Sequence, residues 1–215
     1  MRRRQNGLGL IEVLLALALG LLLLTVAGQL FGSAHQAWQL QGVKARLQDD
    51  ARLVLQRLSE DVRMAGMFGC LRLDPEDFAD PLAARAFARP IEITSDSLTL
   101  VGAELPGVLG VADWTVLTDC RTWARVEAGP HFAGPQVLAI PVRRIGYRLR
   151  NGSLMFTTNA QHVSLIDNVR AFEVSEVETG EGLRVDIRLI LHDRRYGLEQ
   201  RHEMSVAVRN PWGGA

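Results

Sequence analysis

Residues 6–28 read NGLGLIEVLLALALGLLLLTVAG, an apolar run broken by a single acid, Glu12, and preceded by Arg2, Arg3 and Arg4. From residue 8 to residue 34 Glu12 is the only formal charge. At about 1.5 Å rise per residue a helix over that stretch would be roughly 40 Å long, enough to cross a bilayer. The three arginines assign the N-terminal end to the cytoplasm by the positive-inside tendency, and everything after Ala34 to the far side. An ordinary cleaved signal peptide fits poorly. The apolar run exceeds the usual core of about 7 to 15 residues, and no Ala-x-Ala exit stands out around Ala27 to Ala34.

The rest of the 215-residue chain is about one domain in size. Its 24 basic and 24 acidic side chains balance; without Met1 to Gly7 they become 21 against 24. A slightly acidic remainder argues against electrostatic nucleic-acid binding.

No proline precedes Pro75, and Leu40, Val43, Leu47, Ala51, Val54, Leu58, Val62 and Ala65 recur at spacings of three and four, one face of a helix. Lys44, Arg46, Asp49, Asp50, Arg52, Arg57, Glu60 and Arg63 form a mixed-charge opposite side, with Arg57 and Asp61 at a supportive i,i+4 spacing. The pattern predicts one helix from about Leu10 to about Ala65, near 80 Å long, its first half in lipid and its second on a globular head. Gly66 and Gly69 are candidate terminators. Gly28-x-x-x-Gly32 has the form of a small-residue packing motif, a pattern common by chance.

Beyond Cys70 the period changes. "LDPEDFADP" reads as a turn-rich loop, and "IEITSDSLTLVG" as two short strands around Ser95, Asp96 and Ser97. Asn151-Gly152 lies between strand-like runs, the strongest short hairpin signal. "VRAFEVSEVETGEGLRVDIRLILHD" gives two more strands and "RHEMSVAVRN" a last one. The expectation is an α+β head, an antiparallel sheet packed on the second half of the helix. Cys70 and Cys120, the two cysteines, lie beyond the apolar run in what would be an oxidising compartment; a bridge and a pair of buried free thiols are the two readings.

Catalytic patterns are missing: there is no H-E-x-x-H, G-x-S-x-G, Walker loop or dinucleotide fingerprint. The expectation is no enzyme, no cofactor and no metal. His35, His131, His162, His192 and His202 lack ligand-like spacing. Asp74, Glu76, Asp77 and Asp80 offer oxygen atoms suited to calcium but not the spacing or glycine of a calcium loop. Arg143-Arg144 and Arg194-Arg195 read as basic pairs inside strand-like regions, facing solvent or partner acids.

Glu12 still needs a reason, because a carboxylate in hydrocarbon costs roughly 2.5 to 3.5 kcal/mol on insertion scales. A snorkelling acid near the end of an anchor is one explanation. Cutting after Gly7 offers another, since it would expose a cationic α-amine on Leu8 and make Glu12 the fifth residue. Gly7-Leu8-Gly9-Leu10-Ile11-Glu12 after a short basic leader resembles the class III signal of type IV pilins and pseudopilins. Phe is commonest after the cut in that family; Leu8 is also apolar. The resemblance implies leader cleavage between Gly7 and Leu8 by a prepilin peptidase, N-methylation of Leu8, and pairing of Glu12 with the N-terminal amine of a neighbouring subunit.

"DVRMAGMFGC", residues 61–70, resembles the end of the long helix in PilW-family minor pilins, and "VAVRN", residues 206–210, resembles that family's last strand. The leader and the helix pattern, with these patches, imply a type IV pilin-like fold divided into a leader (1–7), a transmembrane assembly helix (8–34), its amphipathic continuation (35–68) and a periplasmic α+β head (69–215). They imply a minor pilin that helps prime pilus assembly with other minor pilins, the major pilin and the inner-membrane assembly platform. The protein would sit in the inner membrane before assembly and in the pilus fibre at the cell surface after it. A J-type minor pseudopilin of type II secretion, a tip adhesin or DNA-uptake subunit, and a membrane-anchored enzyme are the competing readings.

Overall fold

The computed structural model describes residues 9–104, 111–180 and 182–210. The chain divides into two units, 1–46 and 47–215. Helix α1 runs Leu10–Met64 and contributes to both.

In the first unit α1 is solvent-exposed at nearly every described position, leucines included. It is long and apolar enough to cross a membrane, and none of its most apolar window is buried. Polar side chains inside the run are satisfied locally: Thr25 Oγ1 donates to the Leu22 carbonyl (2.7 Å) and Ser33 Oγ to that of Leu30 (2.9 Å). Such back-bonding keeps hydroxyls paired where no water is present. Leu40 is exposed and Val43 half-buried, so the expected apolar face becomes a buried one only from Leu47 onward.

In the second unit Leu47, Ala51, Val54, Leu58, Val62 and Ala65 are all buried, the three-four spacing aligning them along one stripe. After α1 come a 3-10 turn at Pro75–Asp77 and helix α2, Pro81–Ala88. Asp80 caps α2, accepting from Leu82 N at 2.9 Å, and Pro81 opens it at a position where a missing N–H costs nothing.

Among the described residues ten strands follow: β1 (Ile91–Ile93), β2 (Ser97–Ala103), β3 (Trp114–Thr118), β4 (Ala124–Ala128), β5 (Leu138–Arg150), β6 (Ser153–Thr157), β7 (His162–Ile166), β8 (Val169–Thr179), β9 (Gly182–Asp193) and β10 (Leu198–Ala207). They form two antiparallel sheets, where the sequence pattern suggested one. The seven-stranded sheet runs β1-β2-β5-β3-β4, with β6 on β5 and β7 on β6; the three-stranded sheet runs β10-β9-β8. β5 is the hub: residues 142–148 pair with β2, 138–142 with β3 and 146–150 with β6. Asn151 (φ 53°) and Gly152 (φ 79°) make the β5–β6 turn, both left-handed, as a two-residue type I′ hairpin requires.

Phe87 of α2 seats the helix on the larger sheet, with Phe68 at 4.1 Å, Phe78 at 5.3 Å and Trp114 at 5.6 Å between ring centroids. Val101, Val116, Val126 and Val142 supply the strand side of that core. The smaller sheet buries Phe172, Val185, Ile187, Leu189, Leu191 and Val206.

Candidate functional site

Two regions hold the residues singled out by sequence: the start of α1 and the junction where its other end meets the head. Gly7 and Leu8 lie outside the described residues. The Gly9 carbonyl accepts from Glu12 N (3.0 Å) and Val13 N (3.4 Å), opening α1. Glu12 therefore sits in the first turn, where unpaired N–H groups and the helix dipole favour an anion. It is exposed, and no described basic side chain pairs with it. The first lysine or arginine after it is Lys44, about 48 Å further along the helix. Gly28 and Gly32 face open space, with nothing near a Cβ built on either.

At the other end of α1, several residues of the 61–70 patch join the helix end to the strands. Asp61 accepts a hydrogen bond from the Tyr147 hydroxyl of β5, and Arg57 stands 3.8 Å from the same carboxylate while covering the Phe156 ring at 4.1 Å. Burial raises the Asp61 pKa, against the lowering effects of Tyr147 and Arg57 and with a small raising one from Glu60. Burial, then Asp61 itself, holds the Tyr147 phenol far above its ordinary range, so it remains a neutral donor. Ala65 bridges to Gly102 of β2, and Gly66, at φ 78°, stops the helix and donates to the Val101 carbonyl at 2.9 Å. Gly102 is required by space: a Cβ there would lie 2.7 Å from the Met64 carbonyl oxygen.

The 206–210 patch reaches the same place. Val206 and Val208 are buried, and Asn210 Nδ2 donates to the carbonyls of Ala65 (3.3 Å) and Arg63 (3.5 Å), which lack partners at the helix end. Cys70 and Cys120 form a disulfide with a Cα–Cα distance of 5.4 Å, tying the chain just past the helix to the loop after β3. That loop is organised by Asp119, whose carboxylate accepts from the backbone of Arg121, Thr122 and Trp123 and from the Thr122 hydroxyl; these bonds lower its pKa.

Several of the remaining candidates have structural uses. Asp77 accepts from Asp74 N (2.8 Å) and Asp80 caps α2, and among the described residues no cluster of three or more His, Cys, Asp or Glu could hold a metal. Arg143 pairs with Glu104 at 2.7 Å, while the backbone of Arg144 donates to Asp113. Arg194 and Arg195 occupy the β9–β10 turn rather than a strand, with Arg195 over Tyr196. His202 has its pKa lowered by burial. A groove of about 720 Å³ lies among Phe68, Leu73, Phe78 and Phe87, edged by Arg72 and Arg85; among the described residues its lining carries no Asp, Glu, His, Cys, Ser or Thr.

Sequence reasoning missed the Asp61–Tyr147 bond, the Gly102 contact and the Asn210 cap. A signal for the first existed: Asp61 follows Leu58 by three and precedes Ala65 by four, so an acid edges a buried stripe and needs a donor.

Residues 2–28 match the prokaryotic N-terminal methylation motif. The chain carries a prepilin-type signal. This motif supports a type IV pilin or pseudopilin, and the long apolar helix with an antiparallel β domain fits a pilin-like α+β fold. It implies processing by a prepilin peptidase and assembly with other pilins, and agrees with membrane anchoring before incorporation into a pilus. The match ends at residue 28, within the apolar run. No curated protein and no solved structure matches the chain.

Proposed function

We propose that this chain is a minor pilin of the type IV pilus, of the PilW kind, which primes pilus assembly within a small complex of minor pilins. Its leader, residues 1–7, is removed after Gly7, and the new Leu8 amine is methylated. The helix then anchors the protein in the inner membrane with the head, residues 69–215, in the periplasm, residues 35–68 carrying the helix between them. On assembly Glu12 meets the N-terminal amine of a neighbour.

The observation that carries this reading is Glu12: an exposed acid in the first turn of an apolar helix that matches a methylation motif, with no lysine or arginine between it and Lys44, about 48 Å further along the helix. A carboxylate costs up to roughly 2.5 to 3.5 kcal/mol at the centre of a membrane helix, and whatever cost Glu12 carries near the helix start is offset when a second subunit brings a positive charge. The PilW assignment is supported by the meeting of residues 61–70 and 206–210, its two sequence patches, at one helix end through Asn210.

The test is an intact mass from cells with and without a prepilin peptidase, paired with pilus counts in a strain lacking this chain. Loss of residues 1–7 with gain of one methyl, only when the peptidase is present, together with few or no pili in the deletion strain, is the expected result. An uncut chain overturns the pilin reading; a processed chain whose deletion spares piliation but blocks protein secretion makes it a pseudopilin.

A further inference from the structure

Phe31, His35 and Trp38 stand at i, i+4 and i+7 on α1 and form a continuous ladder. The Phe31 and His35 rings are 6.5 Å apart and those of His35 and Trp38 6.0 Å, both pairs stacked, and Gln39 Nε2 lies 2.9 Å from His35 Nε2. The ladder is exposed: Phe31 keeps 76% and Trp38 69% of its surface. Adjacent exposed rings form a contiguous apolar patch of the kind that marks an interaction or membrane site, so the position of the ladder along the helix matters.

That position follows from the rise of α1. Counting from Glu12 at about 1.5 Å per residue, Phe31 lies about 28 Å along the axis, His35 about 34 Å and Trp38 about 39 Å. A bilayer's hydrocarbon core is about 30 Å thick and its full depth with headgroups about 40 to 45 Å. With Glu12 at the inner border, Phe31 arrives at the outer edge of the hydrocarbon and His35 and Trp38 stand among the headgroups. The composition changes at the same level. Up to Leu30 the run is nearly pure Leu, Ala, Val and Gly; residues 32–43 add Ser33, His35, Gln36, Gln39 and Gln41 but still no formal charge until Lys44. Polar, uncharged and aromatic is the composition of a headgroup layer, where an amphipathic ring is favoured over either phase.

We propose that Phe31, His35 and Trp38 are a lipid-headgroup contact that fixes the depth of α1, so that the helix leaves the bilayer after Trp38 and not at Ala34. This rests on the membrane-anchored state proposed above. The indole and imidazole N–H groups donate to headgroup phosphate and carbonyl oxygens, and the Phe31 ring stays against the acyl chains. The ladder opposes both sinking, which would desolvate His35 and Trp38, and withdrawal, which would expose Phe31.

The test uses the full chain in phosphatidylethanolamine–phosphatidylglycerol vesicles containing a nitroxide at the headgroup, at acyl carbon 5 or at acyl carbon 12. Subtracting the fluorescence of Trp38→Phe from that of the unaltered chain isolates the Trp38 signal from the other tryptophans. The expected result is that headgroup and carbon-5 nitroxides quench this signal at least about twice as strongly as carbon 12. Strongest quenching from carbon 12 would bury Trp38 in hydrocarbon and overturn the proposal. No quenching by any nitroxide lipid, in a chain that floats with the vesicles, would put the ladder against solvent or another copy and also overturn it. Failure to float with vesicles would remove the anchored state itself, and the proposal with it.

Discussion

Replacing Tyr147 with Phe removes one oxygen from a side chain that is fully buried, and leaves the ring in place against Phe156. What is lost is the hydrogen bond to Asp61, whose side chain is 27% exposed and whose other contact, Arg57 at 3.8 Å, is long for a hydrogen bond. A hydrogen bond to a charged group contributes about 1.5 to 3 kcal/mol. Partial exposure lets water replace some of it, so the expected loss at neutral pH is about 2 kcal/mol, or about 4 to 8 °C in Tm for a domain of this size. The loss should depend on pH. Burial raises the folded-state pKa of Asp61, so its protonation contributes stability that is present below the ordinary carboxylate pKa and is lost as pH rises through the raised one. Tyr147 opposes that rise by stabilising the carboxylate, so removing it raises the pKa further and costs most where Asp61 is ionised. Thermal unfolding of the full chain in detergent, followed by near-ultraviolet circular dichroism, should show a larger deficit at pH 7.5 than at acid pH. Asp61→Asn, which keeps an acceptor for the phenol, should flatten that dependence. A Tyr147→Phe protein with unchanged Tm, or with the same deficit at both ends of the pH range, would refute this account of the junction.

Reduction, or Cys70→Ser with Cys120→Ser, opens a loop with a sequence separation of 50; the chain-entropy treatment puts the loss at about 4 kcal/mol. A Tm unmoved by reductant in a chain whose mass rises by two hydrogens would contradict it. Gly102→Ala sets a methyl 2.7 Å from the Met64 carbonyl oxygen, backbone that cannot rotate aside, and should cost about 1 to 3 kcal/mol by overpacking; an unchanged Tm would show that the helix end moves freely from β2. Glu12→Val, with the proposed role for Glu12, should leave insertion and leader removal intact while pilus number falls sharply. Normal piliation in that variant would sink the charge-pairing account.

The parts of the fold legible in sequence are those set by local chemistry. A carboxylate in a run of leucines, a three-four apolar stripe and an Asn-Gly pair each have few physical solutions, and α1, its buried Leu47-to-Ala65 face and the β5–β6 turn follow from them. β3 and β4 were not legible: their short burial patterns carry no clean alternation, and their strand character comes from pairing with β5 and covering Phe87. The division into two sheets was hidden for the same reason, since strand-forming segments do not say which neighbours they choose. Arg194 and Arg195 were misplaced because the run before them is apolar through Leu191; the turn is set by Gly197 at φ 59° and by Asp193, which accepts from Arg195 N and Tyr196 N.

Asp61 and Glu12 answer one electrostatic problem in different ways. Asp61 is taken from water by folding, and the fold supplies a phenol, a guanidinium and a remaining path to solvent. Those partners come from within the chain and were found by packing a helix on a sheet. Glu12 has an exposed position in the first turn of an apolar helix, and the next cation in sequence is too far along that helix to reach it. Folding of this chain's described residues therefore leaves the acid unmatched. A carboxylate carried into lipid, with no lysine or arginine after it on its helix before Lys44, favours a cation that arrives beside it. On the proposed function the arriving group is an amine at the start of another helix, set near the depth of Glu12 because its own acid sits five residues in. The cost of the lone acid then acts only on the unassembled subunit, biasing it toward the filament, while the Asp61 junction keeps the head seated on its helix throughout.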